Sequence, residues 1–293
     1  NMSWITYSLL MYAFSVVTYL ALRVLQKKGV PSSVNNFYMW AFSAFTFIAI
    51  AVFQRRNTEL QFEYILFLLA TAFFLSYLGQ IFSLEGIRKA SNPGYSLMIQ
   101  KSYAIYTAVA SVFLFNSELT LKNVIAIFIV IMFLALIIKS DKAESKKKES
   151  NGWIRDSFIS FFLFGTNALA AKWLLDQGVD PFIRGYYVLI FLWLLFTFDL
   201  FRKVRVDKTL LKYVKNKSNY FWFILMGITT GFFNLTMQYA YEYTPNVGYV
   251  NIINTASIGA ITVLSAILFR EKLGMNKLIG VLGVTAGIVL LII

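Results

Sequence analysis

The sequence predicts an all-α integral membrane protein of ten transmembrane helices, arranged as two inverted five-helix repeats. Three observations point there. Apolar residues make up 58% of the chain, mean hydropathy is +0.65, and long apolar runs recur to the end. A run of about 20 residues at 1.5 Å each spans the roughly 30 Å hydrocarbon layer, so each run is long enough to cross. Most of these runs lack the polar face that a helix of a soluble protein shows. Finally, the two halves resemble each other, and basic residues collect in the loops of one side.

Helices are expected at 3–26, 33–54, 62–87, 93–116, 121–139, 153–176, 181–203, 219–243, 246–269 and 275–293. The first run has no basic segment before it and no small-residue cleavage site after it, so it is expected to remain as a helix. Residues 207–217 place Leu210, Leu211 and Val214 opposite Lys208, Lys212 and Lys215. That pattern predicts a short helix lying in the headgroup region. The fifth and sixth runs are separated by a hydrophilic stretch, KSDKAESKKKESNG. The expected division is therefore a first repeat at 1–140, a basic linker at 141–152 and a second repeat at 153–293.

The halves match in register. Trp4-Ile5 recurs as Trp153-Ile154 and Gly29-Val30 as Gly178-Val179, at a spacing of 149. Farther on the spacing becomes 154, pairing Gln80 with Asn234, Gly94-Tyr95 with Gly248-Tyr249, and Phe115 with Phe269. A duplication is the simplest account. Five helices is an odd number, so the second copy enters the membrane the other way round. Such inverted repeats place a site at their interface in many transporters.

The net charge of +13 reflects topology rather than a nucleic-acid partner. Of 27 basic residues, Arg55, Arg56, Lys122, Lys172 and Arg184 fall on one side, Lys101 in mid-helix, and the remaining 21 on the linker side. By the positive-inside rule the linker is expected in the cytoplasm and both termini outside, in a multi-pass cytoplasmic membrane protein. With no cysteine and no histidine, disulfides, thiol chemistry and imidazole metal sites are excluded, leaving carboxylates as proton carriers. No cofactor and no metal site are expected.

Phe164-Gly165-Thr166-Asn167 followed by Lys172 resembles the Trp-Gly-Ser-Asn…Lys motif of EamA-type transporters, a family of the drug/metabolite transporter superfamily. Arg184 after Pro181 is similar to that family's arginine at the start of the next helix. Glu271-Lys272-Leu273 before Gly280 resembles its Glu-x-Leu…Gly signature, with Glu118-Leu119-Thr120 a shortened copy. Departures are Val16 and Arg23 in place of a glycine and a lysine, and Tyr103 and Ser257 in place of prolines. The resemblance implies alternating-access transport of a small metabolite.

Polar residues inside the apolar runs are candidates for the site, because hydrocarbon offers them neither water nor partners. Ser96, Gln100, Tyr103, Thr107 and Ser111 share one face of the fourth helix. Asn234, Gln238 and Tyr241 share a face of the eighth, and Asn251, Asn254 and Ser257 one of the ninth. Tyr77 and Gln80 share a face of the third. Gln80 with Asn234 and Gln100 with Asn254 are repeat-related amides. Serines and threonines such as Ser96, Thr107 and Ser111 are expected to join helices.

Lys101 is the exceptional residue. It lies about 12 Å into its helix at 1.5 Å per residue, where a bare ammonium costs roughly 3 kcal/mol. The expected substrate site is Lys101, Gln100, Gln80, Asn234, Asn254, Tyr103, Tyr77, Gln238, Asn251 and Tyr241. Glu85 and Glu242 are the candidates for proton coupling. Lys172 and Arg184 are expected at helix ends or an outer gate.

The resulting expectation is a secondary transporter for an amino acid or related carboxylate. The rival readings are an exporter of cationic or aromatic compounds and a flippase for an anionic lipid-linked sugar. An enzyme is disfavoured because no nucleophile motif or paired acids at metal spacing occur. Expected partners are a small-molecule substrate and the bilayer, with no nucleic acid and a monomer as the default over a dimer.

Overall fold

The structure is a computed structural model in which residues 3–89, 96, 99–140, 152–269 and 274–293 are described. The linker at 141–151, Gly94-Tyr95 and Glu271-Lys272-Leu273 lie outside the described residues. Among those described there is no strand, and eight helices are long and apolar enough to cross a membrane. A bilayer admits little else, since every backbone polar group must be satisfied within the chain.

The first half contains α1 (Trp4–Lys27), α2 (Ser32–Phe53), α3 (running continuously through Phe62–Thr71, Ala72–Tyr77 and Leu78–Lys89), α4 (Tyr103–Phe115) and α5 (Leu121–Ser140). The second contains α6 (Trp153–Asp176), α7 (Pro181–Val206), α8 (Tyr220–Tyr243), α9 (Val247–Phe269) and α10 (Met275–Ile292). The headgroup helix expected at 207–217 is a single turn, Leu210–Val214, followed by a 3₁₀ turn at Lys217–Asn219. Leu210 is buried there, and Tyr38 donates its hydroxyl to the Val214 carbonyl at 2.8 Å. The turn is thus fastened to α2.

Packing follows the two-fold relation between the halves. α1 packs on α8 and α6 on α3, while α1 meets α9 as α6 meets α4. Across the axis, α2 packs on α7, α4 on α9 and α5 on α10. The first connection is also duplicated atom for atom. Gly29 and Gly178 both have positive φ (74° and 86°). In one turn Val30 N–H donates to Leu25 and Gly29 N–H to Gln26; in the other Val179 donates to Leu174 and Gly178 to Leu175. This is the six-to-one and five-to-two closure of a helix end, which needs a left-handed residue.

Two helices depart from regularity, and both line the interface between the halves. Ala72–Tyr77 of α3 is a π-helical stretch, a local widening often found at functional sites. The fourth helix, expected unbroken over 93–116, is interrupted at Ser102. The Ser102 hydroxyl donates to the Ile99 carbonyl at 2.6 Å, and Ile105 N–H reaches back only three residues to the Ser102 carbonyl. A serine competing for backbone acceptors in this way disturbs the regular ladder.

α4 and α9 approach closely where α9 begins. Asn246 caps α9 by accepting from Gly248 N–H at 2.8 Å and donates to the Ala108 carbonyl at 3.1 Å. A Cβ on Gly248 would stand 2.3 Å from Ala108 Cβ and 2.5 Å from its Cα. Backbone is not displaced cheaply, so Gly248→Ala is expected to cost about 1–3 kcal/mol by overpacking. Thermal unfolding in detergent checks this, and an unchanged midpoint would contradict so tight a crossing.

Candidate functional site

The polar faces of α4, α8 and α9 meet, and their side chains separate into three groups. The first, toward the linker face, is a clasp. The Ser83 hydroxyl donates to Gln100 Oε1 at 2.6 Å, and Gln100 Nε2 donates to the Ser83 carbonyl at 3.2 Å and to Ser96 Oγ at 2.8 Å. Ser96 in turn shares a 2.7 Å hydrogen bond with Ser157 of α6. Gln100 is only 2% exposed. Its amide is spent on joining α3, the fourth helix and α6.

The second group surrounds Lys101. Its ammonium is partly buried and has Tyr19 of α1 and Tyr103 as electrostatic neighbours. Tyr103 lies beside Asn254 of α9 and within electrostatic range of Tyr241. Among the described residues no carboxylate pairs with Lys101. Glu85 is ion-paired with Lys89 at 3.5 Å near the linker face. Lys101 also directly precedes the interruption at Ser102, so the amino end of α4 begins beside it. A helix amino end carries partial positive charge, and discontinuous helices in transporters present such ends to anions.

The third group lies nearer the opposite face. Tyr241 donates to Asn251 Oδ1 at 2.6 Å, and Asn251 Nδ2 donates to Thr107 Oγ1 at 2.9 Å. The Arg184 guanidinium donates to Gln238 Oε1, and Tyr241 is its electrostatic neighbour. Arg184 is 2% exposed, and its Nε is buried with no acceptor. Asp180, one turn earlier, is committed as the cap of α7, accepting from Ile183 N–H at 3.1 Å.

The structure thus brings Lys101, Tyr103, Asn254, Tyr241, Asn251 and Gln238 into one continuous polar seam. Others stand apart. Asn234 Nδ2 bonds the Thr230 carbonyl of its own helix at 2.9 Å. Tyr77 packs edge-on against Phe196 near Asp199, and Gln80, one turn on, is partly buried. Of the acids, Glu85 sits near the linker face, whereas Glu242 has a buried Oε2 without a partner at the other end of the bundle. Lys172 bonds Asp176 at 2.8 Å and the Glu242 carbonyl at 3.2 Å, tying α6 to α8.

Sequence reasoning left Arg184 and Tyr19 out of the site. A signal for Arg184 was present: a cation in the first turn of an apolar helix whose nearest acid, Asp180, sits where a cap belongs. Nothing in the sequence placed Tyr19 beside Lys101.

Toward the linker face, α3 and α6 are locked by charge. Asp156 is 1% exposed and bonds Lys89 at 2.6 Å and Arg155 at 3.0 Å. Lys89 lies beyond the apolar stretch, and its hydrogen bond to Asp156 pushes its ammonium above the ordinary lysine range. It therefore stays charged at physiological pH. On the lipid side, a crevice of about 340 Å³ opens between α3, α4 and α6, lined by Phe67, Tyr106, Leu114, Phe115, Thr166, Leu169, Ala170 and Trp173.

A multi-pass helical protein of two interlocked repeats with a polar seam between them belongs to the architectural class of membrane transporters. The EamA-like transporter family model matches residues 2–139 and 154–293, and the chain belongs to that family. One solved crystal structure superposes with a TM-score of 0.77 over 98% of both chains at 11% identity, a likeness of fold. No curated protein matches the sequence significantly.

The clasp carries its own test. Gln100→Leu preserves bulk but removes three hydrogen bonds and leaves the Ser83 hydroxyl without its acceptor. The expected loss is about 1–3 kcal/mol of stability, read as a lower unfolding midpoint in detergent. A wild-type midpoint would show that the clasp does not hold these helices.

Proposed function

We propose that this protein is a secondary transporter that moves a small polar metabolite bearing a carboxylate, an amino acid or related carboxylate, by alternating access. In this reading the repeats at 1–140 and 153–293 rock against each other in the cytoplasmic membrane, with the basic linker in the cytoplasm and both termini outside. Lys101 anchors a negative group, while Tyr103, Asn254 and the neighbouring amides read the rest of the molecule. Gln100 supports the anchor through the clasp.

One observation carries the proposal: a partly buried ammonium within the helix bundle, at a helix interruption, with no carboxylate beside it among the described residues. A buried unpaired charge is costly, and a substrate carboxylate relieves that cost whenever the site is occupied. The cationic-substrate reading needs an acid to neutralise Lys101, and the separation of Glu85 and Glu242 from it weighs against that. The flippase reading needs a headgroup site continuous with a lateral opening. The lipid-facing crevice is apolar and lies toward the face opposite the basic loops, which weighs against that too. The chain is read as non-enzymatic, with no cofactor.

The test is ligand-dependent thermal unfolding of the purified protein across carboxylates, zwitterions, cations and aromatics. A ligand at 100 times its dissociation constant stabilises the fold by about 2.7 kcal/mol. Carboxylates are expected to raise the wild-type midpoint and to have no effect on a folded Lys101→Ala variant. Stabilisation by cations that survives Lys101→Ala would overturn the proposal.

A further inference from the structure

We propose that Arg184 with Gln238 forms a second anion subsite in the same seam, so that the favoured substrate carries two negative groups. The inference rests on the reading of Lys101 as the first anchor and extends it to the substrate's other end.

Arg184 is more deeply buried than Lys101, and among the described residues its guanidinium hydrogen-bonds a neutral amide, that of Gln238. Its Nε is enclosed without an acceptor. A guanidinium is built to bind a carboxylate or phosphate through two parallel N–H donors. Here that capacity is unused, and desolvating such an ion carries a penalty of several kcal/mol. The acids of the neighbourhood do not pair with it: even Glu242, one turn beyond Gln238 on α8, keeps a buried Oε2 without a partner. Asp180 caps α7, Asp176 pairs with Lys172, and no ion pair forms between Arg184 and any described carboxylate. A structural arginine would be expected to have acquired one.

The two cations also belong to one array. Tyr241 is an electrostatic neighbour of both Arg184 and Tyr103, and Tyr103 is a neighbour of Lys101. Lys101 and Arg184 are therefore linked through Tyr103 and Tyr241, and among the described residues no carboxylate pairs with either cation. A monoanion neutralises one cation and leaves the other bare. A dianion neutralises both, with Tyr103, Tyr241 and Asn254 along its length.

Gly185 lets the guanidinium approach its partner. A Cβ there would stand 2.7 Å from the Phe47 ring and 3.5 Å from Gln238 Cγ. The backbone of α7 is thereby drawn close to α2 and α8 next to Arg184. The arginine is positioned rather than merely tolerated.

The experiment measures binding of straight-chain dicarboxylates, from succinate to suberate, and of monocarboxylates of the same lengths. Binding is read from midpoint shifts of the full-length protein at neutral pH, where both carboxyls are ionised. Wild type is expected to bind its best dicarboxylate about tenfold or more tightly than the matched monocarboxylate, in line with measured couplings between close charges. Arg184→Gln should reduce that preference to within about twofold while leaving monocarboxylate binding in place. Arg184→Lys should retain part of it.

Absence of a dicarboxylate preference in wild type overturns the inference without any variant, and so does a preference that survives Arg184→Gln. Loss of monocarboxylate binding in Arg184→Gln, with Lys101→Gln unaffected, would instead overturn the Lys101 reading beneath it.

Discussion

A positive charge inside a low-dielectric bundle, with no carboxylate partner among the described residues, is the constraint on which the rest of this structure turns. Most of the protein solves an ordinary problem: apolar helices satisfy their own backbone and pack through small residues. Lys101 does not fit that solution. Its ammonium has tyrosines rather than acids for neighbours, and the helix bearing it is interrupted at the next residue. At the interruption the Ile105 N–H turns back only three residues, to the Ser102 carbonyl. In the proposed reading, charge and interruption favour the same occupant, an anion.

The surrounding machinery holds this arrangement in place. The clasp of Ser83, Gln100, Ser96 and Ser157 fixes the linker-side approach to Lys101, and the α4–α9 crossing at Gly248 fixes the other side. Asp156 with Lys89 and Arg155 joins the end of α3 to the start of α6. At the far face, Lys172 joins α6 to α8. Of the helices that cross the two-fold axis, α4, α7 and α9 bring polar residues to the seam, and α8 adds Gln238 and Tyr241. The duplicated plan supplies two copies of the scaffold, and the polar side chains that differ between copies make the seam asymmetric.

Much of this was legible in the sequence. Helix number and order followed from the apolar runs, and the repeat followed from Gly29-Val30 and Gly178-Val179, which do form the same helix-ending turn. The shared faces of the fourth, eighth and ninth helices were readable from periodicity, because burial in a bundle enforces it. What periodicity does not encode is the partner. Gln100 and Asn254 are repeat-related amides, yet one is consumed by Ser83 and Ser96 while the other lies beside Tyr103. That difference depends on which helix lies opposite. Arg184 reads as a helix-end residue for the same reason: it lies in the first turn of α7, but the close packing of α7 against α2 and α8 buries it. The interruption at Ser102 was invisible to hydropathy, since one serine in an apolar run alters the average little.

The central claim is that residue 101 faces a water-filled path between the two repeats. The chain contains no cysteine, so a single Lys101→Cys substitution can be probed in reconstituted vesicles with a charged, membrane-impermeant thiol reagent applied to both sides. The reagent attacks the thiolate and needs water around it. Modification of the cysteine at 101, at a rate within reach of a control cysteine at exposed Glu59, is the predicted result. A cysteine at 101 that stays inert while the control reacts fully would mean that the ammonium is sealed in protein or lipid, and it would contradict the account.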